Sequence, residues 1–155
     1  MEKHEAYKWA AKRVRAQVKR QVDPIATLAN TAAILKEYFP SFFWVGFYFI
    51  REEYLLLGPF QGPPACVKIA RNQGVCAASA ERQQTILVPD VHEFPGHVAC
   101  DARSRSEIVV PVHDEMGTLR AVLDVDSESL AAFDEQDAAG LQTVAGLLRG
   151  IWTTT

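Results

Sequence analysis

The sequence has no apolar run long enough to cross a bilayer. Its longest candidates, residues 42–50 and 108–112, have the length of a β-strand instead. The first residues are charged and no apolar signal core follows them, so we expect no export signal, no membrane partner and a cytoplasmic location. Internal repeats and Gly- or Ser-rich linkers are also missing, which predicts one compact domain.

Cysteine is scarce, since the chain has three: Cys66, Cys76 and Cys100. An odd set of thiols in a reducing compartment argues against a permanent disulfide framework. A zinc site from Cys66, His92, His97 and Cys100 is disfavoured, because no C-x2-C pair is present and the spacings fit no compact zinc module. We therefore predict no metal site, and the thiols are either buried and inert or reactive.

Charge is unevenly distributed along the chain, although the net charge is only −3. Residues 1–20 are strongly basic and the remainder is acidic, a pattern that an RNA-binding arm would also show. Few aromatic residues interleave with these bases, so we favour a helix that docks on its own acidic domain and predict no nucleic-acid partner. The predicted division is a basic N-terminal helix at 1–22 and a folded domain at 23–155.

Apolar residues at helical spacing predict a helix over residues 5–20 and a second over 25–35. Asp23, followed by proline, supplies the cap of the second helix. Asp134 caps a closing helix whose buried stripe reaches Trp152.

Short runs of β-branched and aromatic residues predict the strands, with a small-residue helix at 76–82 between them. The strands are expected at 42–50, 54–57, 65–69, 85–88, 108–113 and 119–126. Residues 58–64 are predicted to form a loop, and residues 90–106 form a longer one, of the length usual for lids and binding loops. The fold class is α+β: a central antiparallel sheet of about six strands with the N- and C-terminal helices packed on it.

Seven local motifs follow one another along the chain: 44–48 (WVGFY), 57–62 (LGPFQG), 64–66 (PAC), 74–76 (GVC), 94–101 (FPGHVACD), 104–111 (SRSEIVVP) and 122–127 (VLDVDS). In this order they resemble the free methionine-(R)-sulfoxide reductase family, small enzymes built on the GAF fold. The resemblance covers the chain from about Ala26 to the closing helix. A non-catalytic GAF module that binds a small ligand shares the fold without the three cysteines, and it is the alternative function.

The resemblance implies reduction of free L-methionine (R)-sulfoxide without an organic cofactor. It implies that Cys100 attacks the substrate sulfur, that Cys66 resolves the resulting sulfenic acid, and that a thioredoxin-like donor reduces the disulfide. Thiolate chemistry suits this reaction, and we expect a histidine close to Cys100, His92 or His97, to lower its pKa. Cys66 lies in strand-like sequence and is equally compatible with burial. Cys76 is either a structural thiol or a backup nucleophile.

Five further residues match substrate-binding positions of the family: Trp44, Tyr48, Glu107, Asp124 and Asp126. Asp124 and Asp126 alternate with apolar residues, so both point to one face of a strand, where repulsion raises the pKa of one of them. A solvent-facing acidic strand end would look the same. Trp44 and Tyr48 also share a strand face and suit the methyl and sulfur end of the substrate.

The other aromatic residues of this strand, Phe43, Phe47 and Phe49, are interpreted as core. No base is clearly placed to bind the substrate carboxylate, so we expect backbone N–H groups after Asp101, or Ser106, to do so. A homodimer is compatible with the sequence.

Overall fold

The structure is a computed structural model that describes residues 1–153, so the last two residues of the predicted domain, 154–155, lie outside the described residues. None of the helices in the described part combines the length and apolar character that a membrane span needs. Short 3-10 turns occupy Val91–Glu93 and Arg149–Thr153. The regular elements are α1 (Lys3–Lys19), α2 (Pro24–Tyr38), β1 (Trp44–Ile50), β2 (Tyr54–Gln61), β3 (Lys68–Ala70), α3 (Gly74–Arg82), β4 (Ile86–Val88), β5 (Ser106–His113), β6 (Leu119–Ser127) and α4 (Glu135–Leu147).

The six strands form one sheet in the order β3-β2-β1-β6-β5-β4. Every neighbouring pair is antiparallel. The α+β class and the six-stranded antiparallel sheet are therefore confirmed.

The two faces of the sheet carry different partners, because side chains alternate along each strand. Phe47, Ile108 and Leu123 face the main core, which α1, α2 and α4 complete. Tyr48 and Val122 face a smaller cluster that includes residues of α3. The functional side chains described below belong to this second face.

The basic leader is packed into the domain through α1. The Tyr7 hydroxyl donates to Asp137 Oδ1 on α4 at 2.6 Å, and Lys3 Nζ lies 2.7 Å from Asp137 Oδ2. Arg13 pairs with Glu37 on α2. The helix docks on its own domain, as expected, whereas the division of the chain at residue 22 stays a prediction.

The predicted caps are present at both helices. Asp23 accepts from the Ile25 N–H at 2.8 Å, and Asp134 forms a capping box with Asp137. The closing helix is shorter than its apolar stripe indicated: α4 ends at Leu147. Trp152 lies in the following 3-10 turn and is still buried.

Two boundaries around the Gly/Pro-rich segment were predicted wrongly. Strand β2 continues to Gln61, although residues 58–64 were expected to be a loop. The register slips between Gly46 and Tyr48, which leaves one extra residue on β2, and such a bulge tolerates a proline. The strand predicted at 65–69 is shifted to Lys68–Ala70, so Cys66 lies before it in irregular chain.

Candidate active site

A cavity of about 60 Å³ lies on the second face of the sheet, beneath the segment 89–105. We call this segment the lid. Its regular secondary structure is the 3-10 turn at Val91–Glu93. Seven of the predicted site residues line the cavity: Trp44, Tyr48, Cys76, Cys100, Glu107, Asp124 and Asp126.

The eighth residue, Cys66, reaches the cavity through a disulfide to Cys100. The bridge joins the segment between β2 and β3 to the lid, across 34 positions of sequence and with Cα atoms 5.3 Å apart. It matches the pair that the family resemblance implied. The chain therefore places two cysteines within bonding distance at the edge of a ligand-sized site.

The third cysteine, Cys76, is a free thiol buried at the start of α3. Its Sγ lies 4.0 Å from Glu107 Oε2. Burial raises the pKa of the Cys76 thiol well above its usual value, and the negative charges of Asp124 and Glu107 raise it further. Cys76 is therefore held as a neutral thiol in this state, unlike a reactive thiolate.

Three carboxyl groups meet on the cavity side of β5 and β6. Glu107 lies opposite Asp126 in the ladder, and Asp124 points to the same face two residues earlier. Glu107 is 7 % exposed and Asp124 is 5 % exposed. Burial raises the pKa of all three carboxyls, and the charge of Asp124 adds to this for Glu107 and Asp126. Each raised pKa favours the protonated form, so the cluster gives up its last proton at a higher pH than isolated carboxyl groups do.

One carboxylate oxygen of this group is unused. Asp124 Oδ1 is buried and has no hydrogen-bond partner among the described residues. Asp126 instead accepts from the Ser104 hydroxyl, with Oγ 3.1 Å from Oδ1. A buried acceptor without a donor is costly, and a cationic or N–H-bearing ligand would satisfy it.

Aromatic side chains line the cavity beside the acids, on the neighbouring strand β1 and on the same face of the sheet. The rings of Trp44 and Tyr48 stack with centroids 5.9 Å apart, and Trp44 also stacks on Phe60 at 5.2 Å. The prediction that they share one face is confirmed by their pairing with β6. A Cβ on Gly46 between them would lie 2.4 Å from Phe60 Cβ, so glycine is required for this stacking. Phe43, which was expected to be core, lines the cavity instead.

The lid closes against the first turn of α3. Gly74 has φ +87°, and a Cβ there would meet Val98 Cγ2 at 3.3 Å, so glycine provides both the turn and the close approach. Gly74, Val75 and Cys76, the first residues of α3, line the cavity. The N–H groups of a first helical turn have no intrahelical acceptor, and the Gln73 side chain does not cap this helix. The positively polarised end of α3 therefore lies at the cavity.

The expectation that a histidine lowers the pKa of Cys100 stays a prediction, because Cys100 is disulfide-bonded in this structure. His92 pairs with Asp90, at 3.3 Å from Nδ1 to Oδ1. Burial lowers the pKa of His97, and His92 lowers it further. His97 lines the cavity.

The groups that were expected from the sequence to bind the substrate carboxylate need correction. Ser106 faces away from the cavity, and its hydroxyl donates to the Ser129 carbonyl at 2.6 Å. The N–H groups of Arg103 and Ser104, which follow Asp101, are already bonded to Asp101. Arg103 also lowers the pKa of Asp101 to about 2 by hydrogen bonding. In the part of the chain described, no Lys or Arg lines the cavity.

Sequence reasoning missed three features of the site: Ser104, Phe43 and the start of α3. Ser104 lies outside β5, so strand alternation gave no indication of its direction. The sequence did contain a signal for the start of α3, because Gly74 precedes an apolar helix and no capping residue stands before it.

A cation could be accommodated by part of the same cluster. Cys76, Glu107 and Asp124 each place one potential ligand atom within 4.8 Å of the others. This set differs from the four residues considered for zinc in the sequence analysis, because Cys66 and Cys100 of that set form a disulfide.

Comparison with known proteins agrees with this architecture. The GAF domain family model matches residues 21–150. The free methionine-R-sulfoxide reductase of Escherichia coli is 44% identical over 131 residues, which are 84% of this chain and 79% of that protein. The GAF domain-containing protein A of Dictyostelium discoideum is 45% identical over 147 residues, covering 94% of this chain and 92% of the relative.

A solved structure extends the comparison to the site's chemistry. The free methionine-R-sulfoxide reductase of Neisseria meningitidis in complex with its substrate has a TM-score of 0.91 and 44% identity, covering 96% of this chain and 89% of that one. The fold and the family model define a GAF domain. Within that class, the chain belongs to the free methionine-R-sulfoxide reductase family.

Proposed function

We propose that this chain reduces free L-methionine (R)-sulfoxide to methionine, with Cys100 as the nucleophile and Cys66 as the resolving thiol. The observation that carries the proposal is the Cys66–Cys100 bridge at the edge of a cavity lined with buried carboxyls. The relatives named for this activity support the substrate.

The chemistry balances without an organic cofactor. Cys100 thiolate attacks the sulfoxide sulfur, the sulfoxide oxygen passes to the cysteine, and methionine leaves a sulfenic acid behind. Cys66 thiol then attacks the Cys100 sulfur, and the S–O bond breaks to release water and form the disulfide. A thioredoxin-like dithiol returns both thiols by exchange, becoming a disulfide itself.

Proton supply falls to the carboxyl cluster. Glu107 lies among acids whose charges and burial keep a proton in the group, so it donates to the sulfoxide oxygen as that oxygen gains negative charge. Asp124 and Asp126, the two acids of β6, receive the substrate ammonium, and the unpartnered Asp124 Oδ1 gains a donor in this way.

The remaining parts of the substrate fit the other walls. The first N–H groups of α3 donate to the α-carboxylate, because they have no intrahelical partner and lie at the positive end of the helix dipole. Trp44 packs against the methyl and sulfur end. A site that encloses both α-groups admits the free amino acid and rejects a peptide.

The proposed catalytic cycle supports a thioredoxin-like partner and a cytoplasmic location, because a disulfide that is reduced in every turnover needs a dithiol donor and a reducing compartment. The basic α1 is part of the fold, because Lys3 and Arg13 pair with acids of α4 and α2.

An epimer-resolved assay tests the proposal. The (R) epimer of free methionine sulfoxide should be reduced with thioredoxin or dithiothreitol, while the (S) epimer and peptide-bound methionine sulfoxide should not. Cys100→Ser should abolish turnover, Cys66→Ser should leave one stoichiometric turnover with weak recycling, and Cys76→Ser is the matched single-thiol control. Ligand binding without turnover in the wild type would favour the non-catalytic GAF module instead.

A further inference from the structure

The segment that carries Cys66 has few ways to be fixed in place. It runs as irregular chain between β2 and β3 and contains Pro63 and Pro64, which have no N–H to donate. Three of its carbonyl groups accept hydrogen bonds from β1 and β2. Trp44 Nε1 lies 3.1 Å from the Pro63 carbonyl, the Tyr48 hydroxyl lies 2.8 Å from the Cys66 carbonyl, and the Leu57 N–H lies 2.9 Å from the Val67 carbonyl.

The two side-chain donors are rigid. Trp44 is 4 % exposed and Tyr48 is 2 % exposed, and their rings stack on each other. Burial raises the pKa of the Tyr48 hydroxyl, and nearby negative charges, that of Asp124 first, raise it further, so this group stays protonated and remains a donor. The Tyr48 hydroxyl is the donor that attaches the Cys66 carbonyl itself to strand β1.

The lid holds Cys100 less firmly. The backbone hydrogen bonds around it are local turns, such as Cys100 N–H to the Val98 carbonyl at 3.1 Å and His97 N–H to the Phe94 carbonyl at 3.1 Å. The bonds that join the lid to the sheet lie further along the chain, where the Ser104 hydroxyl donates to Asp126 Oδ1 at 3.1 Å and the Arg105 N–H donates to the Ser127 carbonyl at 2.7 Å. The Cys66 carbonyl is thus bonded directly to a strand of the sheet, whereas the backbone bonds at Cys100 stay within the lid.

We propose that Tyr48 is a positioning residue for disulfide closure: its hydroxyl holds the Cys66 carbonyl so that the Cys66 thiol waits within reach of Cys100. This assignment rests on the proposed function and adds a second role to a residue first identified as part of the substrate wall. The step concerned is attack of Cys66 sulfur on the Cys100 sulfenic acid, in which the S–O bond breaks and water leaves.

Tyr48→Phe separates the two roles, because it keeps the ring and removes only the hydroxyl. Reduced enzyme is mixed with (R)-sulfoxide and quenched with an alkylating agent, and both methionine and disulfide are measured over time. Disulfide closure should slow about two- to tenfold relative to methionine release, the range for one lost hydrogen bond. Sulfenic acid at Cys100 should accumulate and be trapped by dimedone.

Tyr54→Phe is the matched control, since it also removes a tyrosine hydroxyl but from a residue that packs against Lys68, outside the cavity lining. It should leave both rates unchanged. Equal slowing of methionine release and closure in Tyr48→Phe would indicate general damage and overturn the proposal, as would closure at the wild-type rate.

A second measurement needs no substrate. The thiol–disulfide equilibrium of the Cys66–Cys100 pair against glutathione reports the effective concentration of the two thiols. Tyr48→Phe should lower it about two- to tenfold relative to Tyr54→Phe. This result would support the positioning role even if the sulfoxide assay failed, and an unchanged equilibrium together with unchanged closure would refute it.

Discussion

Reduction of the Cys66–Cys100 bridge removes a covalent link across most of the cavity side of the molecule. The 34 positions between the two cysteines include β3, α3, β4 and the lid. In the loop-closure model, a link across this span restricts the unfolded chain enough to stabilise the fold by about 4 kcal/mol. Since domains of this kind unfold with roughly 5–15 kcal/mol, the reduced enzyme is expected to be markedly less stable than the oxidised one.

Guanidinium unfolding of the oxidised and dithiothreitol-reduced protein, followed by tryptophan fluorescence, measures this difference. The Cys66→Ser/Cys100→Ser double variant should unfold like the reduced protein under both conditions. Cys76→Ser keeps the bridge, so its oxidised and reduced forms should still differ by about 4 kcal/mol.

Equal unfolding free energies for the oxidised and reduced wild type would refute the reasoning. That result would mean that the bridge strains the native lid as much as it restricts the unfolded chain. A double variant as stable as the oxidised protein would lead to the same conclusion.

Two further predictions concern the helix face and the acid cluster. Gly140→Ala should lower the unfolding free energy, because its Cβ would lie 2.3 Å from the Tyr7 ring and overpacking of about 1–3 kcal/mol exceeds the gain in helix propensity of about 1 kcal/mol. Gly146→Ala on the same helix has nothing within 4 Å and should raise it, so a change of the same sign in denaturant melts of both variants would contradict the packing. Glu107→Gln should abolish turnover yet stabilise the fold. The raised pKa of Glu107 means that the folded wild type holds a proton that the unfolded chain has already lost above the ordinary carboxyl range. Wild-type stability therefore falls as pH rises above that range, by up to about 1.4 kcal/mol per pH unit. In unfolding experiments, the gain in unfolding free energy from Glu107→Gln should be absent below that range and should grow toward neutral pH. A gain that is independent of pH would argue against a buried proton, as would an equal gain in the exposed control Glu81→Gln.

Local pattern was enough to predict the parts of the site that lie on single strands. Asp124 and Asp126 face one side together because the period of a strand is two, whatever the strand packs against. The same argument placed Trp44 and Tyr48 on one face. Which strands meet is a long-range property, so the sequence alone did not show that Trp44 lies opposite Asp126 and that Asp126 lies opposite Glu107.

The failures came where local and long-range effects compete. Gly58 and Pro59 indicate a loop by composition, but pairing with β1 extends β2 through them with the help of a bulge. Ser104 and Ser106 are two apart, yet only Ser104 reaches the cavity, because the strand begins at Ser106 and the lid turns before it. Chain direction in a loop depends on what it packs against, here Val98 on Gly74, and no local spacing encodes it.

The placement of three carboxyl groups on the inner face of β5 and β6 is unfavourable for folding, because each loses water without gaining a cation from the chain. The opposite faces of the same strands offset this: Ile108, Leu123 and Val125 are fully buried against the helices. Alternation thus lets one pair of strands supply both the stabilising core and the destabilising acids. The acids raise one another's pKa because, in the described part of the chain, they lie close together without a Lys or Arg beside them. A ligand with an ammonium group and a polar oxygen supplies the hydrogen-bond partners that they lack. The instability of the empty site and its affinity for such a ligand therefore have the same physical origin.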